Sequence, residues 1–165
     1  MGVTGSGKTT VGTLLAQKLG WKFVDADDFH SEPNKTKIAH GIPLTDADRA
    51  PWLTALRQTI EESIADGENV VLACSALKQQ YRDQLRNPEE KRSETTQFVY
   101  LKGDYELIYS HLRSRHGHFA TESILKSQFA DLEEPADAIA VSVDQTPKRI
   151  VEEITERANL TKSVS

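Results

Sequence analysis

Apolar positions along the chain alternate between two spacings, and the alternation predicts strands and helices in turn. Four short strand-like segments lie at residues 22–25, 69–74, 97–101 and about 140–143. The second is apolar enough to be buried on both faces of a sheet. Between these segments, apolar residues recur every three or four positions, as in helices that pack on one face. Strands separated by helices indicate an α/β fold with a mostly parallel sheet.

The helices have recognisable ends. The first is predicted from Lys8 to about Leu19, with Gly20 after it and an apolar stripe at Val11, Leu14, Leu15 and Leu19. A long helix is predicted from about Thr45, which can cap it, and Pro51 is expected to be tolerated in its first turn. Further helices are predicted before residue 41 and within residues 79–86, 104–115, 122–135 and 147–158.

Composition narrows the class of protein. The 165 residues fit a single domain, 1–165, and 38% hydrophobic with 27% charged residues is a globular balance. A net charge of -5 argues against a nucleic-acid partner. Cys74 is the only cysteine, which excludes an internal disulfide and favours a reducing compartment. No apolar run approaches the length of a membrane span. We therefore predict a cytoplasmic protein with no membrane partner.

The first residues match the phosphate-loop pattern G-x-x-x-x-G-K-[ST], and a helix pattern follows directly. A chance match in a glycine-rich turn is therefore disfavoured. Such a loop cradles phosphates with backbone N–H groups at a helix N-terminus. Its lysine bridges the β- and γ-phosphates and its threonine hydroxyl binds Mg²⁺. The pattern predicts ATP and Mg²⁺ as cofactors, with nucleotide contacts from Gly2, Val3, Thr4, Gly5, Ser6, Gly7, Lys8, Thr9 and Thr10.

A phosphate loop normally follows a buried strand, but here only Met1 precedes Gly2. The four predicted strands therefore make an incomplete sheet. A strand before the loop would complete it. We expect the chain as written to lack this strand and to be markedly less stable than one extended by about six to ten N-terminal residues.

Carboxylates at the end of the first predicted strand point to a catalytic crevice. Asp25 and Asp27 alternate along "VDADDFH", so one can help hold Mg²⁺ through water and the other can accept a proton from a substrate hydroxyl. An acidic loop cap explains the same spacing equally well.

Two cations follow along the chain. Arg49 carries a planar fork that suits a carboxylate, although a surface arginine paired with Asp46 would give the same sequence. Lys78 follows an apolar strand and is expected at the edge of the crevice, unless it is a solvated lysine at a helix start. Cys74 is expected to be a small buried residue and not a nucleophile.

The basic segment "HLRSRHGHFA" can fold over a triphosphate as a lid that neutralises charge and excludes water. A plain basic loop is the alternative. A metal site is disfavoured, because His116 and His118 are two positions apart and no third ligand is near them in the sequence.

Taken together, these segments resemble the gluconate kinase (gluconokinase) family of small phosphate-loop kinases. The stretches that match are "GVTGSGKTT", "DADDFH", "NKTKIAHGIPLTDADRAPWL", "CSALKQQYRD", "VYLKGD", "RHGHF", "QFADLEEP" and "VDQTP". They run from residue 2 to about residue 147. Many nucleotide enzymes share the loop alone, whereas the combination of "GIPLTDADRAPWL", "CSALK" and "GHF" is far more specific.

The resemblance implies ATP-dependent phosphorylation of D-gluconate at its 6-hydroxyl, giving 6-phospho-D-gluconate and ADP. It implies a three-layer α/β kinase fold with a parallel sheet of order 2-3-1-4-5, here without its first, central strand. A substrate-binding helical region is expected at about residues 30–66 and a lid at about 113–122. Gluconokinases of this type are often dimers, so a homodimer is one expected assembly. A related small-metabolite kinase and a non-catalytic nucleotide-binding module are the alternatives.

The resemblance also implies roles for individual residues. Asp27 would lie nearest the substrate hydroxyl, and Asp25 would act on the metal side with Thr9. Arg49 would bind the gluconate carboxylate, and Arg115 would be the lid arginine over the phosphates. The further substrate contacts would be His30, Asp48, Lys78 and His118. Besides the missing first strand, the chain departs from the pattern in a second respect: no acidic residue ends the apolar strand before "CSALK", where a metal-binding carboxylate is expected.

Overall fold

The structure is a computed structural model that describes residues 1–86, 96–113 and 118–160, except for the side chains of 118–121. Helices and strands alternate along the chain as the apolar pattern predicts. The helices are α1 Lys8–Leu19, α2 Glu32–Ala39, α3 Asp46–Ala65, α4 Gln79–Leu85, α5 Tyr105–Arg113, α6 His118–Asp131 and α7 Pro147–Arg157. The strands are β1 Lys22–Asp25, β2 Val70–Ala73, β3 Val99–Lys102 and β4 Ile139–Ser142, and a 3-10 turn spans Ala26–Phe29.

The strands form two parallel pairs. In one pair β1 lies beside β2 with Lys22 opposite Val70, and in the other β3 lies beside β4 with Val99 opposite Ile139. This pairing is the predicted order with its central strand left out, so the predicted α/β kinase fold is confirmed. In the part of the chain that the structure describes, no strand lies between β2 and β3.

The first two residues join the two pairs. The Leu101 N–H donates to the Met1 carbonyl at 2.9 Å, and the Met1 amine donates to the Val99 carbonyl. On the other side, the Gly2 N–H donates to the Ser75 carbonyl at 3.2 Å. Met1 and Gly2 therefore make the ladder contacts of a central strand, but only at the carboxyl end of the sheet.

A cavity of about 810 Å³ continues from Met1 between β2 and Phe98–Val99. Val70, Val71 and Leu72 of β2 are only half-buried, because this cavity lies beside them. The prediction that this strand is buried on both faces is therefore wrong. The buried position of the Met1 amine, with Lys8 near it, lowers its pKa from 8.0 to about 5. The cavity is thus flanked by strand edges and ends at a desolvated amine.

Helix α1 has the predicted bounds, because Gly20 adopts a left-handed conformation (φ 72°) that ends it. Three details of the helices differ from expectation. Helix α6 spans His118–Asp131, whereas it was predicted within residues 122–135. Leu14 is 37% exposed, whereas the rest of the predicted stripe is buried. Pro51 is the sixth residue of α3, beyond the first turn, so its missing N–H leaves the Ala47 carbonyl without its usual partner within the helix.

The start of α3 is fixed by a capping box. Thr45 accepts from the Asp48 N–H, and Asp48 accepts from the Thr45 N–H. The Asp48 carboxylate also pairs with Lys37 of α2 at 2.7 Å, which ties the two helices together. These hydrogen bonds, the Lys37 bond first, lower the Asp48 pKa from 3.8 to about 2. The carboxylate predicted as a substrate contact is therefore engaged by two structural partners.

Two apolar clusters fill the interior. One contains residues of α1, α7 and the β3–β4 pair, with α1 also packed on β1 and β2, and the other packs α3 against α4 and the 3-10 turn. Among the described residues, no helix is both long and apolar enough to cross a bilayer.

Filling the cavity with a strand should stabilise the fold. We expect a chain extended before Met1 by six to ten apolar, strand-forming residues to melt at least about 5 °C higher, because the extension would pair with both strand edges and bury apolar surface. Differential scanning calorimetry measures this shift. A Gly-Ser extension of equal length and an N-acetylated chain are the controls, and equal melting temperatures for all four chains would contradict the expectation.

Loss of the Asp48 carboxylate should destabilise the fold. We expect Asp48→Ala to lower the melting temperature by about 2–6 °C, and Lys37→Met, which spares the capping box, to lower it less. Because the folded pKa of Asp48 is about 2, the difference from wild type should shrink as the pH falls from 3.8 toward 2. An unchanged melting temperature with a raised substrate KM would instead assign Asp48 to substrate binding.

Candidate functional site

Glycines shape the loop between Met1 and α1. Gly7 precedes the helix with φ 89°, in the left-handed region that favours glycine. Gly5 has φ 79°, and a β-carbon there would lie 2.6 Å from the Leu112 side chain. No described side chain caps the first turn of α1 at Gly7, so the N–H groups of that turn are available to an anion. The backbone thus has the conformation that a phosphate cradle needs.

Lys8 lies inside this loop. Its ammonium donates to the Val3 carbonyl at 2.9 Å. Burial lowers the pKa of Lys8, while the carboxylates of Asp27 and Asp25 act in the opposite direction. The lysine therefore lies at the loop, close to the acidic turn that follows β1, whose carboxylates offset part of the cost of burying its charge.

Thr9 and Asp25 lie side by side where α1 begins and β1 ends. The Thr9 hydroxyl donates to one Asp25 oxygen at 2.9 Å, and the other Asp25 oxygen accepts from the Asp27 N–H at 3.1 Å. Asp25 thus caps the 3-10 turn, as the structural alternative expected, and also offers a carboxylate beside the loop hydroxyl. A hydroxyl and a carboxylate are hard oxygen donors that suit Mg²⁺ together with phosphate oxygens and water.

The 3-10 turn carries Asp27, and α3 holds it in place. The Trp52 indole N–H donates to the Ala26 carbonyl at 2.7 Å. The His30 ring stacks on Trp52 with centroids 4.6 Å apart, and its Nε2 lies 4.0 Å from the Asp27 carboxylate. Burial is the main cause that lowers the pKa of His30, which favours its neutral form. Asp27 itself is exposed on the crevice side of this assembly.

Arg49 and Lys78 come together in one cluster with Asp46, Tyr81 and Asp131, here called the charged cluster. The Arg49 side chain is only 11% exposed and donates to the Tyr81 hydroxyl at 3.0 Å and to Asp131 at 3.3 Å. Lys78 donates to Asp46 at 2.8 Å and is 23% exposed. Neither residue is the solvated surface cation that the alternative interpretations described.

Electrostatics within the charged cluster follow from these bonds. Hydrogen bonds from Lys78 and then Tyr81 lower the pKa of Asp46 from 3.8 to about 2, and the same carboxylate raises the pKa of Lys78. Asp46 and Lys78 therefore stay ionised at neutral pH. The cluster places two cations where a carboxylate can be bound by paired hydrogen bonds.

Some predicted site residues lie outside the described part of the chain. Arg115 is among them, with the other residues of 114–117 in the lid expected at 113–122, and only the main chain is described for residues 118–121. For His118 the structure describes only the main chain, as the first residue of α6.

Cys74 agrees with its prediction. It is buried, and burial raises the pKa of its thiol to about 11, which makes it unreactive as a nucleophile.

The structure adds residues that the sequence reasoning missed. Besides Trp52, Tyr81 and Asp131, they include Gln128 of α6, whose side-chain oxygen accepts from the Thr4 N–H of the loop at 2.6 Å. Tyr81 could have been found, because it follows Lys78 by three positions at the start of a helix. Gln128 and Asp131 lie in the stretch "QFADLEEP" that carries the resemblance, but no role could be given to them, since their partners are more than 50 residues away in the sequence.

Comparison with known proteins agrees with this geometry. A profile of the family described as Shikimate kinase matches residues 4–159. A probable gluconokinase of Rattus norvegicus is 49% identical, over 88% of this chain and 88% of that protein. Among solved structures, a sugar kinase from Janibacter sp. HTCC2649 has a TM-score of 0.88 at 38% identity, over 100% of this chain and 95% of that chain. A gluconokinase from Sinorhizobium meliloti 1021 has a TM-score of 0.79 at 41% identity, over 93% of this chain and 85% of that chain. The chain therefore belongs to the shikimate kinase family of phosphate-loop kinases, and within that family it groups with the gluconokinases.

Proposed function

We propose that this protein transfers the γ-phosphoryl group of ATP to the 6-hydroxyl of D-gluconate, giving 6-phospho-D-gluconate and ADP. The observation that carries the proposal is the charged cluster, which brings two little-exposed cations to the crevice of a phosphate-loop fold. Relatives named gluconokinase, at up to 49% identity over most of the chain, support the choice of acceptor.

Nucleotide binding is assigned to the loop and to Lys8. Residues 2–10 are assigned to the phosphates, with the uncapped N–H groups at the start of α1 as donors, and the Lys8 ammonium is assigned to the β- and γ-phosphates. Bound Mg²⁺ would neutralise phosphate charge, and Thr9 and Asp25 are the residues placed to hold it. Arg115, in the lid expected at about 113–122, adds a further positive charge over the phosphates.

Asp27 is the group that handles the proton. Its turn is held by the bond from Trp52 to the Ala26 carbonyl, which fixes where the carboxylate meets the acceptor. As the bond from the acceptor oxygen to the γ-phosphorus forms, the bond from that phosphorus to the β-phosphate oxygen breaks and ADP leaves. The hydroxyl proton passes to the Asp27 carboxylate late in the transfer. Positioning and charge neutralisation supply most of the acceleration.

Acceptor binding is assigned to residues 30–66 together with Lys78. Arg49 presents its planar fork to the gluconate carboxylate, and Tyr81 orients that fork through the 3.0 Å bond. His30 and His118 are further contacts for the hydroxyl groups, and Asp48 keeps that predicted role besides its capping bonds. A cytoplasmic location and a homodimer remain predictions from the sequence.

A panel of acceptors in a coupled ADP-release assay tests the function. We expect gluconate to accelerate ADP release, while shikimate and nucleoside monophosphates leave it at the basal rate. Lys8→Ala should lower turnover by about two orders of magnitude or more, because it removes a charge from the phosphates. If no acceptor accelerates ADP release although ATP binds, the protein is a nucleotide-binding module and the proposal is wrong.

Two substitutions should affect different kinetic constants. Arg49→Ala should raise the gluconate KM by about tenfold or more with a smaller change in kcat, because Arg49 grips a part of the acceptor that does not react. Asp27→Asn should lower kcat by about 10²–10⁴ with little change in KM, because the amide cannot take the proton. Steady-state kinetics at saturating ATP separate the two. Equal effects of both variants on KM alone would refute the role of Asp27.

A further inference from the structure

Two carboxylates share the cations that the proposed function assigns to the substrate carboxylate. Asp46 lies 2.8 Å from Lys78 and 3.8 Å from Arg49. Asp131 lies 3.3 Å from Arg49 and 3.7 Å from Lys78. The charged cluster is therefore formally neutral, and a third carboxylate can bind between the cations only if one of the two present gives way.

Asp46 is the firmly held partner. It is the first residue of α3 and accepts hydrogen bonds from Lys78 at 2.8 Å, from Gln80 at 3.3 Å and from the Tyr81 hydroxyl. The low pKa of its carboxyl, about 2, reflects these donors. Displacing Asp46 would leave the hydroxyl of Tyr81, a residue only 4% exposed, without its acceptor, which is costly.

Asp131 is held less firmly and comes from a different element. It is the last residue of α6, and both of its contacts to the cations are longer than the bond from Lys78 to Asp46. Its side chain is 27% exposed, so water can solvate the carboxylate once it turns away.

The main chain next to Asp131 is anchored beside the cluster. The Glu133 N–H donates to the Leu77 carbonyl at 3.0 Å, and the Glu133 carboxylate accepts from the Gln79 N–H at 2.6 Å. These bonds flank Lys78 on both sides. The Asp131 carboxylate can therefore leave the cations by a rotation of its side chain alone, without movement of α6.

We propose that Asp131 is an internal competitor of the substrate carboxylate. Its carboxylate takes the position between Arg49 and Lys78 that an acidic acceptor needs, and binding of the acceptor displaces it. This inference rests on the proposed function, because it assumes that the two cations bind the acceptor acid.

Such competition makes Asp131 a determinant of specificity. An acidic acceptor replaces one carboxylate by another, so Arg49 and Lys78 keep a negative partner throughout. A neutral polyol of the same length supplies no charge to replace Asp131 and cannot displace it. Asp131 thus lowers the affinity for every acid and excludes neutral analogues from the cations.

Kinetics of Asp131→Asn test the proposal. The gluconate KM should fall about 3- to 10-fold with kcat within about twofold, because the amide does not compete for the cations. Asp131→Ser, which also lacks the charge, should give the same fall. Asp131→Glu keeps the charge and should show no fall. The inhibition constant of D-glucitol, a neutral analogue, should also fall in Asp131→Asn and Asp131→Ser, because the carboxylate that excludes it from the cations is gone, and should not change in Asp131→Glu.

Glu134→Gln is the matched control. Glu134 is exposed, lies three positions beyond Asp131 and pairs with Lys102 at 2.7 Å, away from the cluster. Its substitution removes one negative charge from the same segment and should leave the gluconate KM unchanged. An equal fall in KM for Glu134→Gln would show a general charge effect and overturn the proposal.

The remaining outcomes separate the inference from the function it rests on. If the wild-type protein shows no gluconate-dependent ADP release, the proposed function fails. If the wild type is active but Asp131→Asn and Asp131→Ser leave KM unchanged or raise it, the function stands and Asp131 is not a competitor. Melting temperatures confirm that each variant is folded before its kinetics are compared.

Discussion

The structure depends on the hydrogen bonds that Met1 and Gly2 make to both halves of the sheet. Leu101 donates to the Met1 carbonyl, and Gly2 donates to the Ser75 carbonyl. These two residues hold the β1–β2 pair and the β3–β4 pair together, and the phosphate loop follows directly after them in the chain. Its position relative to Asp27, Arg49 and Lys78 therefore depends on a junction of two residues beside a large cavity.

The site is assembled from three elements that are tied together by polar bonds. Trp52 of α3 holds the turn that carries Asp27, and Gln128 of α6 reaches the Thr4 N–H in the loop. Asp131, one turn along α6 from Gln128, reaches Arg49 on α3. Helix α6 thus contacts both the nucleotide loop and the cations assigned to the acceptor. Its position affects both halves of the site, because side chains on one helix face move together.

Charges with little exposure are stable only when they are paired, and this explains the composition of the charged cluster. Arg49 and Lys78 would be costly alone at 11% and 23% exposure, so Asp46 and Asp131 balance them. The same balance limits what the cluster can bind. A ligand that binds Arg49 and Lys78 in place of an aspartate must itself carry a negative charge, so an acid is favoured over a neutral sugar.

The sequence by itself determined the α/β class, the bounds of α1, the cap at Thr45 and the phosphate loop, because local periodicity, capping chemistry and glycine spacing are short-range properties. It also indicated Asp25, Asp27, Arg49 and Lys78, since each lies beside a strand end or helix start. Only the tertiary structure decided which residues meet. The pairing of Arg49 with Asp131, and the half-buried state of β2 beside its cavity, depend on contacts between elements far apart in the chain. The spacing of residues along the sequence does not predict such contacts, because they form when distant elements pack against one another and not through a local pattern.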